Sequence, residues 1–301
     1  MKKKKSSNLL FTILILIGVI GFLACFCWFM YPYASSFLSK QEHKRVVQRY
    51  VTDIQELSEE EIAEILEAAY EYNRQLQNKH HRYLMNEEEE AEYQSQLRIP
   101  SSDIIGVLEI PVINVKLPMY HDTNEGILQI GIGHYKGTSL PVGGAGTHTV
   151  VTGHRGVPSS ELLTKLNKVD EGDVFMFHVL KQTVTYLVDR VEIVLPEVVR
   201  DYIGIEPDMD YATVITCHPY SVNSHRMLVR GHRIENIVET AYEDMASEAK
   251  QPDNTLLIIA ITAIISVIIL IIIITVLICR KRNKKKAKVA QNDEKENNII
   301  N

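Results

Sequence analysis

Two long apolar runs frame the chain, and the pattern between them changes once. Leu9 to about Met30 is a run of roughly 22 residues preceded by Lys2 to Lys5. At about 1.5 Å of rise per helical residue it is long enough to cross a bilayer. The spacing predicts an uncleaved signal anchor, although Ala34-Ser35-Ser36 also offers small residues at which a signal peptide could be cut. Leu256 to Ile278 is a second such run, with Thr262, Ser266 and Thr275 as its polar members. Arg280, Lys281, Arg282, Lys284, Lys285, Lys286 and Lys288 follow it. Basic flanks stay on the cytoplasmic side, so the segment from about Tyr33 to Asn254 is expected outside, anchored at both ends.

Between the spans the period is first helical and then strand-like. Ser58-Glu59-Glu60-Glu61 has the form of a capping box, and Ile62, Ile65, Leu66, Ala69 and Leu76 follow as one apolar stripe. This predicts a helix lying against a later domain, with Lys79-His80-His81 and Glu87 to Glu90 as a solvated stretch. From about Ile99-Pro100 short β runs succeed one another: Val107 to Ile110, Val112 to Leu117, Thr147 to Thr152, Val174 to Phe177, Thr183 to Val194, Ala212 to Cys217 and Met227 to Ile234. Strand after strand with little helix predicts a mainly β domain, a closed barrel or a sandwich, with a short helix at Ser159 to Leu166. The chain divides into a basic end with a signal peptide or signal anchor (1–32), an extracellular helical segment (33–98), the β domain (99–235), an acidic connector (236–255), a transmembrane helix (256–278) and a basic cytoplasmic tail (279–301).

Composition sharpens this picture in two places. The outer segment holds roughly 20 Lys and Arg against roughly 35 Asp and Glu, a balance that argues against nucleic acid as a partner. Cys25 and Cys27 fall in the first span and Cys279 at the end of the second, so Cys217 is the one thiol expected outside. It has no intrachain disulfide partner in its compartment, and such a thiol is either buried and inert or kept for its reactivity.

Its surroundings suggest reactivity. Val214 and Ile215 end in Thr216-Cys217, turn formers follow, and Met227 to Val229 resume strand character. If the two runs form a hairpin, Cys217 and Arg226 face each other at its open end, with Leu228 and Arg230 on the face of Arg226. A guanidinium there favours the anionic form of a thiol and could support an oxyanion. A proton-transfer partner would come from among His121, His134, His148, His154, His178, His218, His225 and His232. Spacing favours His154, in a turn after a β run and flanked by Gly153 and Gly156. His148 sits within a strand as a structural imidazole would, and His218 points away from its neighbour Cys217. Gly143-Gly144-Ala145-Gly146 lacks the Lys-Ser/Thr ending of a phosphate loop and reads as a turn, and no short ligand pair suggests zinc.

Thr216-Cys217-His218-Pro219 with Asn223, Arg226, Val229, Gly231 and Arg233 resembles the signature of the sortases, specifically the class C or pilus-type group. Gly131-Ile132-Gly133-His134, Gly137 to Pro141, Gly143-Gly144 and Thr152-Gly153-His154-Arg155-Gly156 are similar to that group in the same order. The resemblance spans about Ile104 to Arg233. It implies an eight-stranded sortase-type β-barrel over 99–235, held at the membrane of a Gram-positive bacterium. It implies Cys217 as nucleophile, His154 as proton donor and acceptor, and Arg226 as the support for substrate and oxyanion, leaving Arg230 and Arg233 as strand or surface charges. The implied partners are pilin or surface proteins with an LPxTG-like sorting signal and an amine acceptor, a pilin lysine or a peptidoglycan cross-bridge. No cofactor is implied. Two departures stand out: the Asp-Pro-aromatic lid motif of many pilus sortases is missing between Phe37 and Ile99, where Gln77 to Leu97 is the corresponding stretch, and Gly153 replaces a common alanine, a change expected to leave the histidine undisturbed.

A membrane-impermeant thiol reagent applied to intact cells is expected to label Cys217 and to spare Cys25, Cys27 and Cys279. A Cys217 that stays unlabelled would point to an inert, buried thiol.

Overall fold

The computed structural model describes residues 3–236 except 80, 158 and 159, together with 263, 266 and 274. Apart from those last three positions, the second apolar run, the connector beyond 236 and the basic tail lie outside the described residues. The chain forms two units, Met1–Ala249 and Lys250–Asn301, and all elements with assigned bounds belong to the first.

The first apolar run does not end where the bilayer would. It continues as one helix, α1 (Lys3–Gln55), through Pro32. Among the described residues this is the one helix long and apolar enough to cross a membrane, its span falling within Ile17–Gln55. Trp28, Phe29, Tyr31 and Tyr33 are exposed near the end of the apolar run, where aromatic rings suit a membrane interface. Past them the helix turns from lipid-like to amphipathic: Val47, Tyr50, Val51 and Ile54, at i, i+3, i+4 and i+7, are buried in the domain core. The Tyr50 hydroxyl accepts from the Leu180 amide at 2.9 Å.

Helix α2 (Glu59–Gln77) starts with the expected capping box, Ser58 accepting from the Glu61 amide at 3.2 Å and Glu61 accepting from the Ser58 amide at 2.8 Å. Its stripe of Ile62, Ala69, Tyr72, Asn73 and Leu76 is buried. Asn73 belongs there because its amide completes the Leu140 backbone, donating to the carbonyl at 3.1 Å and accepting from the N–H at 2.7 Å. The glutamate run lies at the surface and is helical. Glu87 to Glu90 form the first turn of α3 (Glu87–Ser95), where Asn86 caps and negative charge complements the helix N-terminus.

Eight strands close into a barrel: β1 (Ile104–Ile110), β2 (Val115–His121), β3 (Ile132–His134), β4 (Thr147–Thr152), β5 (Val174–Val179), β6 (Gln182–Val194), β7 (Asp210–His218) and β8 (His225–Ile234). Their order is β1-β2-β3-β4-β7-β8-β6-β5, closed by pairing of β5 with β1, which leaves no sheet edge open. The pairs β2–β3 and β4–β7 are parallel and the rest antiparallel. A short helix, α4 (Glu125–Ile130), links β2 to β3. Strand alternation sends Val151, Ala212, Val214, Met227 and Val229 into the core with Phe175, Phe177 and Tyr186. The opposite face carries a second cluster of Val150, Ile215 and Leu228 with Val194, Val199 and Ile203.

The helix expected at Ser159 to Leu166 does not form. Ser159 lies outside the described residues, and the segment is a string of turns ending in a 3-10 turn at Leu166–Lys168. Its polar groups are taken by tertiary partners instead: the Leu163 amide donates to the His154 carbonyl at 3.2 Å, and the Gly156 amide donates to the Thr164 hydroxyl at 3.1 Å. Leu162, Leu163 and Leu166 are buried all the same.

Three histidines are enclosed as neutral rings. His134 Nε2 donates to the Ser139 carbonyl at 2.8 Å, and its Nδ1 accepts from the Tyr93 hydroxyl of α3 at 2.9 Å. His148 Nδ1 donates to the Gly204 carbonyl at 2.7 Å, and Nε2 accepts from Thr213 at 2.8 Å. Burial pushes both down to about 4, and pushes His121, packed edge-on to Tyr93, down to about 3. Because these folded-state values lie below the ordinary 6.5, their stabilisation is complete above about pH 6.5 and is lost as pH falls towards about 4. Thermal unfolding followed by circular dichroism is expected to show a falling midpoint over that window; a flat profile would contradict neutral burial.

Candidate active site

The site is built by the register of three neighbouring strands. Strand β4 runs parallel to β7 with Val150 level with Thr213 and Thr152 level with Ile215. Pairing continues past the strand end, where the Gly153 amide donates to the Ile215 carbonyl at 3.1 Å and the Thr216 hydroxyl to the Gly153 carbonyl at 2.8 Å. Carried one residue further, this register brings His154 level with Cys217. On the other side of β7, Cys217 pairs directly with Arg226 of β8. Cys217 and Arg226 therefore lie together at one end of the barrel, sharing its outer face with Ile215 and Leu228, and His154 follows two residues after the end of the neighbouring β4.

Cys217 is partly exposed, and it is the one cysteine of the barrel. Arg226 Nη1 donates to the carbonyls of Asn223 and His225 at 3.1 and 3.0 Å, which ties the guanidinium to the β7–β8 turn. His154 keeps 24% of its side chain exposed and holds Glu125 Oε1 from Nε2 at 3.1 Å. No sequence pattern had singled out Glu125. The signal was there in Asn124-Glu125 ahead of Ile127 and Leu128, a helix start in which Asn124 accepts from the Ile127 amide.

The remaining candidates lie where face alternation puts them. His218 turns away from Cys217 and accepts from Arg155 Nη1 at 3.1 Å; burial, then Arg155 and His225, push its pKa down. Arg230 pairs with Asp189 through Nε at 2.9 Å and stacks over Tyr211, while Arg233 bonds Asn236 at 3.2 Å. The glycine segment is a turn held by Asp210, which accepts from the Gly144 amide at 2.8 Å. Among the described residues no group of three or more His, Cys, Asp and Glu is arranged to hold a metal.

A family model described as "Sortase domain" matches residues 108–234. Sortase C1 of Streptococcus agalactiae is 43% identical, with a TM-score of 0.61 over 64% of this chain and 99% of that one. This chain belongs to the sortase family. Its solved neighbours include sortase C of Streptococcus pneumoniae, 40% identical over 64% of this chain and 97% of that one (TM-score 0.58), from a study of pilin substrate specificity. Sortase C of Clostridium perfringens, solved with a C-terminal cell wall sorting motif, is 37% identical over 63% of this chain and 98% of that one (TM-score 0.56). Sortase D of Bacillus subtilis (strain 168) is 24% identical over 152 residues, 50% of this chain and 73% of its own length. The protein is therefore a cysteine transpeptidase, and its solved neighbours include class C sortases.

The stretch Gln77 to Leu97 reaches the site's own face of this sortase without an Asp-Pro-aromatic motif. Tyr83 packs on the Val150, Ile215 and Leu228 cluster with Tyr135 and Tyr202. Arg82 and Arg200 lie over its ring at 5.0 and 5.1 Å. Gly137, at φ +81°, permits this crossing, since a Cβ there would stand 2.4 Å from the Arg82 carbonyl. His154 and Arg226 find their hydrogen-bond partners elsewhere, on Glu125 and the β7–β8 turn.

Gly153 has little space for a side chain. A Cβ there would lie 2.8 Å from Leu163 Cδ1 and 2.9 Å from Ile132 Cγ2, and both side chains are fully buried. Gly153→Ala is expected to destabilise the domain by about 1–3 kcal/mol through overpacking and to slow turnover by shifting the neighbouring His154. Denaturant unfolding with peptide turnover checks this. Partial recovery in Gly153→Ala combined with Leu163→Val would identify Leu163 as the obstacle.

Proposed function

We propose that this sortase cleaves an LPxTG-like sorting signal between Thr and Gly and transfers the acyl group to a pilin lysine, polymerising pili. The observation that carries the reading is the direct pairing of Cys217 with Arg226 beside β4, the parallel neighbour strand that leads to His154. Likeness to sortases C over nearly their whole length supports the pilin-directed version of it.

In this mechanism Cys217 Sγ attacks the threonine carbonyl carbon as its proton passes to His154, and Arg226 stabilises the oxyanion as a planar donor group. His154 gives a proton to the glycine nitrogen as the C–N bond breaks. A thioester on Cys217 remains. The acceptor lysine amine attacks it, His154 takes the amine's proton and passes it to the departing sulfur, and an isopeptide bond forms as the Cys217 thiol is released. The bond energy of the peptide passes through the thioester, so no cofactor enters the balance.

The place of this chemistry follows from the chain ends. The N-terminal helix with its apolar run is read as a signal anchor, and the run at 256–278 as a second span. With both basic ends cytoplasmic, the barrel stands on the outer surface of a Gram-positive membrane, where secreted substrates emerge.

Cys217→Ala is expected to abolish high-mass pilin ladders on cells with no other sortase, and persistent ladders would refute the nucleophile. Arg226→Lys is expected to lose about 10²-fold in turnover of a sorting-signal peptide, because an ammonium lacks the planar fork. Ladder formation reports transfer to a pilin lysine. Product linked to a peptidoglycan amine instead, or free acid alone, would assign the enzyme to wall anchoring or to peptide hydrolysis.

A further inference from the structure

Two donors meet on one oxygen of Glu125. His154 Nε2 lies 3.1 Å from Oε1, and the Gln129 side-chain amide donates to the same atom at 2.7 Å. Gln129, first, and then His154 hold the Glu125 carboxyl below its usual range, so it accepts as an anion and has no proton to offer. The shared hydrogen must therefore sit on His154 Nε2. With Nε2 so engaged, Nδ1 carries the lone pair of the neutral ring.

The support behind Glu125 is local and rigid. Asn124 caps α4 by accepting from the Ile127 amide at 3.1 Å, and Glu125 and Gln129 stand one turn apart on that helix. At its other end Gly131 packs so tightly that a Cβ would meet the Pro118 carbonyl of β2 at 2.5 Å. Helix α4 is thus clamped between β2 and β3, and β3 pairs with β4, whose exit carries His154. Glu125 remains 73% exposed, so it is not needed to fill the core.

We propose that Glu125, braced by Gln129, is a positioning residue for His154: it fixes the Nε2–H tautomer and leaves Nδ1 as the nitrogen that exchanges protons in transpeptidation. This rests on the catalytic roles of Cys217 and His154 proposed above. In acylation the imidazolium gives its Nδ1 proton to the departing glycine nitrogen, while the Nε2–H stays on Glu125. In the resolving step Nδ1 takes a proton from the attacking amine. Glu125 is never protonated, and it acts only through the orientation and tautomer of the ring.

The test uses the full chain in detergent with a sorting-signal peptide and an amine acceptor. Glu125→Ala is expected to lower kcat roughly three- to tenfold at unchanged KM, the scale of an exposed pair rather than of a reacting group. Glu125→Gln, whose amide oxygen still accepts from Nε2–H, should restore most of that loss, and Gln129→Ala should show a smaller loss of the same kind. Nitrogen-15 NMR of the neutral His154 ring should report Nε2–H in the wild type and a tautomer mixture in Glu125→Ala. Unchanged melting in each variant excludes misfolding. A Glu125→Ala kcat within twofold of wild type, a rise in KM alone, or an Nδ1–H ring in the wild type overturns the positioning role, provided that Cys217→Ala and His154→Ala are inactive. Retained turnover in either of those two variants overturns the underlying site reading instead.

Discussion

Everything at the candidate site hangs on the pairing of β4 with β7. Because the two strands are parallel, their C-terminal ends lie together, and the residues just past them emerge at the same end of the barrel. A slip of one position would move His154 out of level with Cys217 and turn Val150 from the outer cluster to the core. Two features resist that slip. Val151 and Val214 are fully buried inside, and Val150 and Ile215 are buried on the opposite face, so each face holds the register. The Gly153 amide and the Thr216 hydroxyl then extend the pairing to the edge of the chemistry.

The N-terminal helices join the barrel to the apolar run. Helix α1 passes without a break from its apolar run to the buried positions Val47, Tyr50, Val51 and Ile54, so the segment read as a span and a wall of the domain core are one rod. The Ser39 hydroxyl on that rod donates to Ser160 at 2.8 Å, which ties it to the loop that follows His154. Helix α3 is fastened differently, through the buried Tyr93 hydroxyl on His134. The Tyr93–His134 contact is enclosed, and it persists because the donor meets an acceptor; left half-made, it would be costlier than an apolar contact.

Several elements were legible before folding because their signals are local. The Ser58 capping box involves four consecutive residues, and the β7–β8 hairpin has its partners nine positions apart, so face alternation sufficed to set Cys217 against Arg226. Other readings failed for the opposite reason. The segment at 159–166 has helical composition, but the Leu163 amide serves the His154 carbonyl instead of a helix. Glu125 drew no notice because its partner lies 29 positions away.

The sequence alone determined a mainly β domain, an apolar N-terminal run and the motif blocks that resemble the sortases, and it offered Cys217, His154 and Arg226 as candidates for the chemistry. Those features rest on spacing within one element or on side-chain type. Only the tertiary structure decided that β4 would lie beside β7, that Tyr83 would cross the outer face, that Gly153 has no room for a methyl group, and that His154 has a carboxylate partner. Each of these depends on contacts between segments far apart in sequence, where packing and hydrogen-bond satisfaction, not local propensity, select the neighbour.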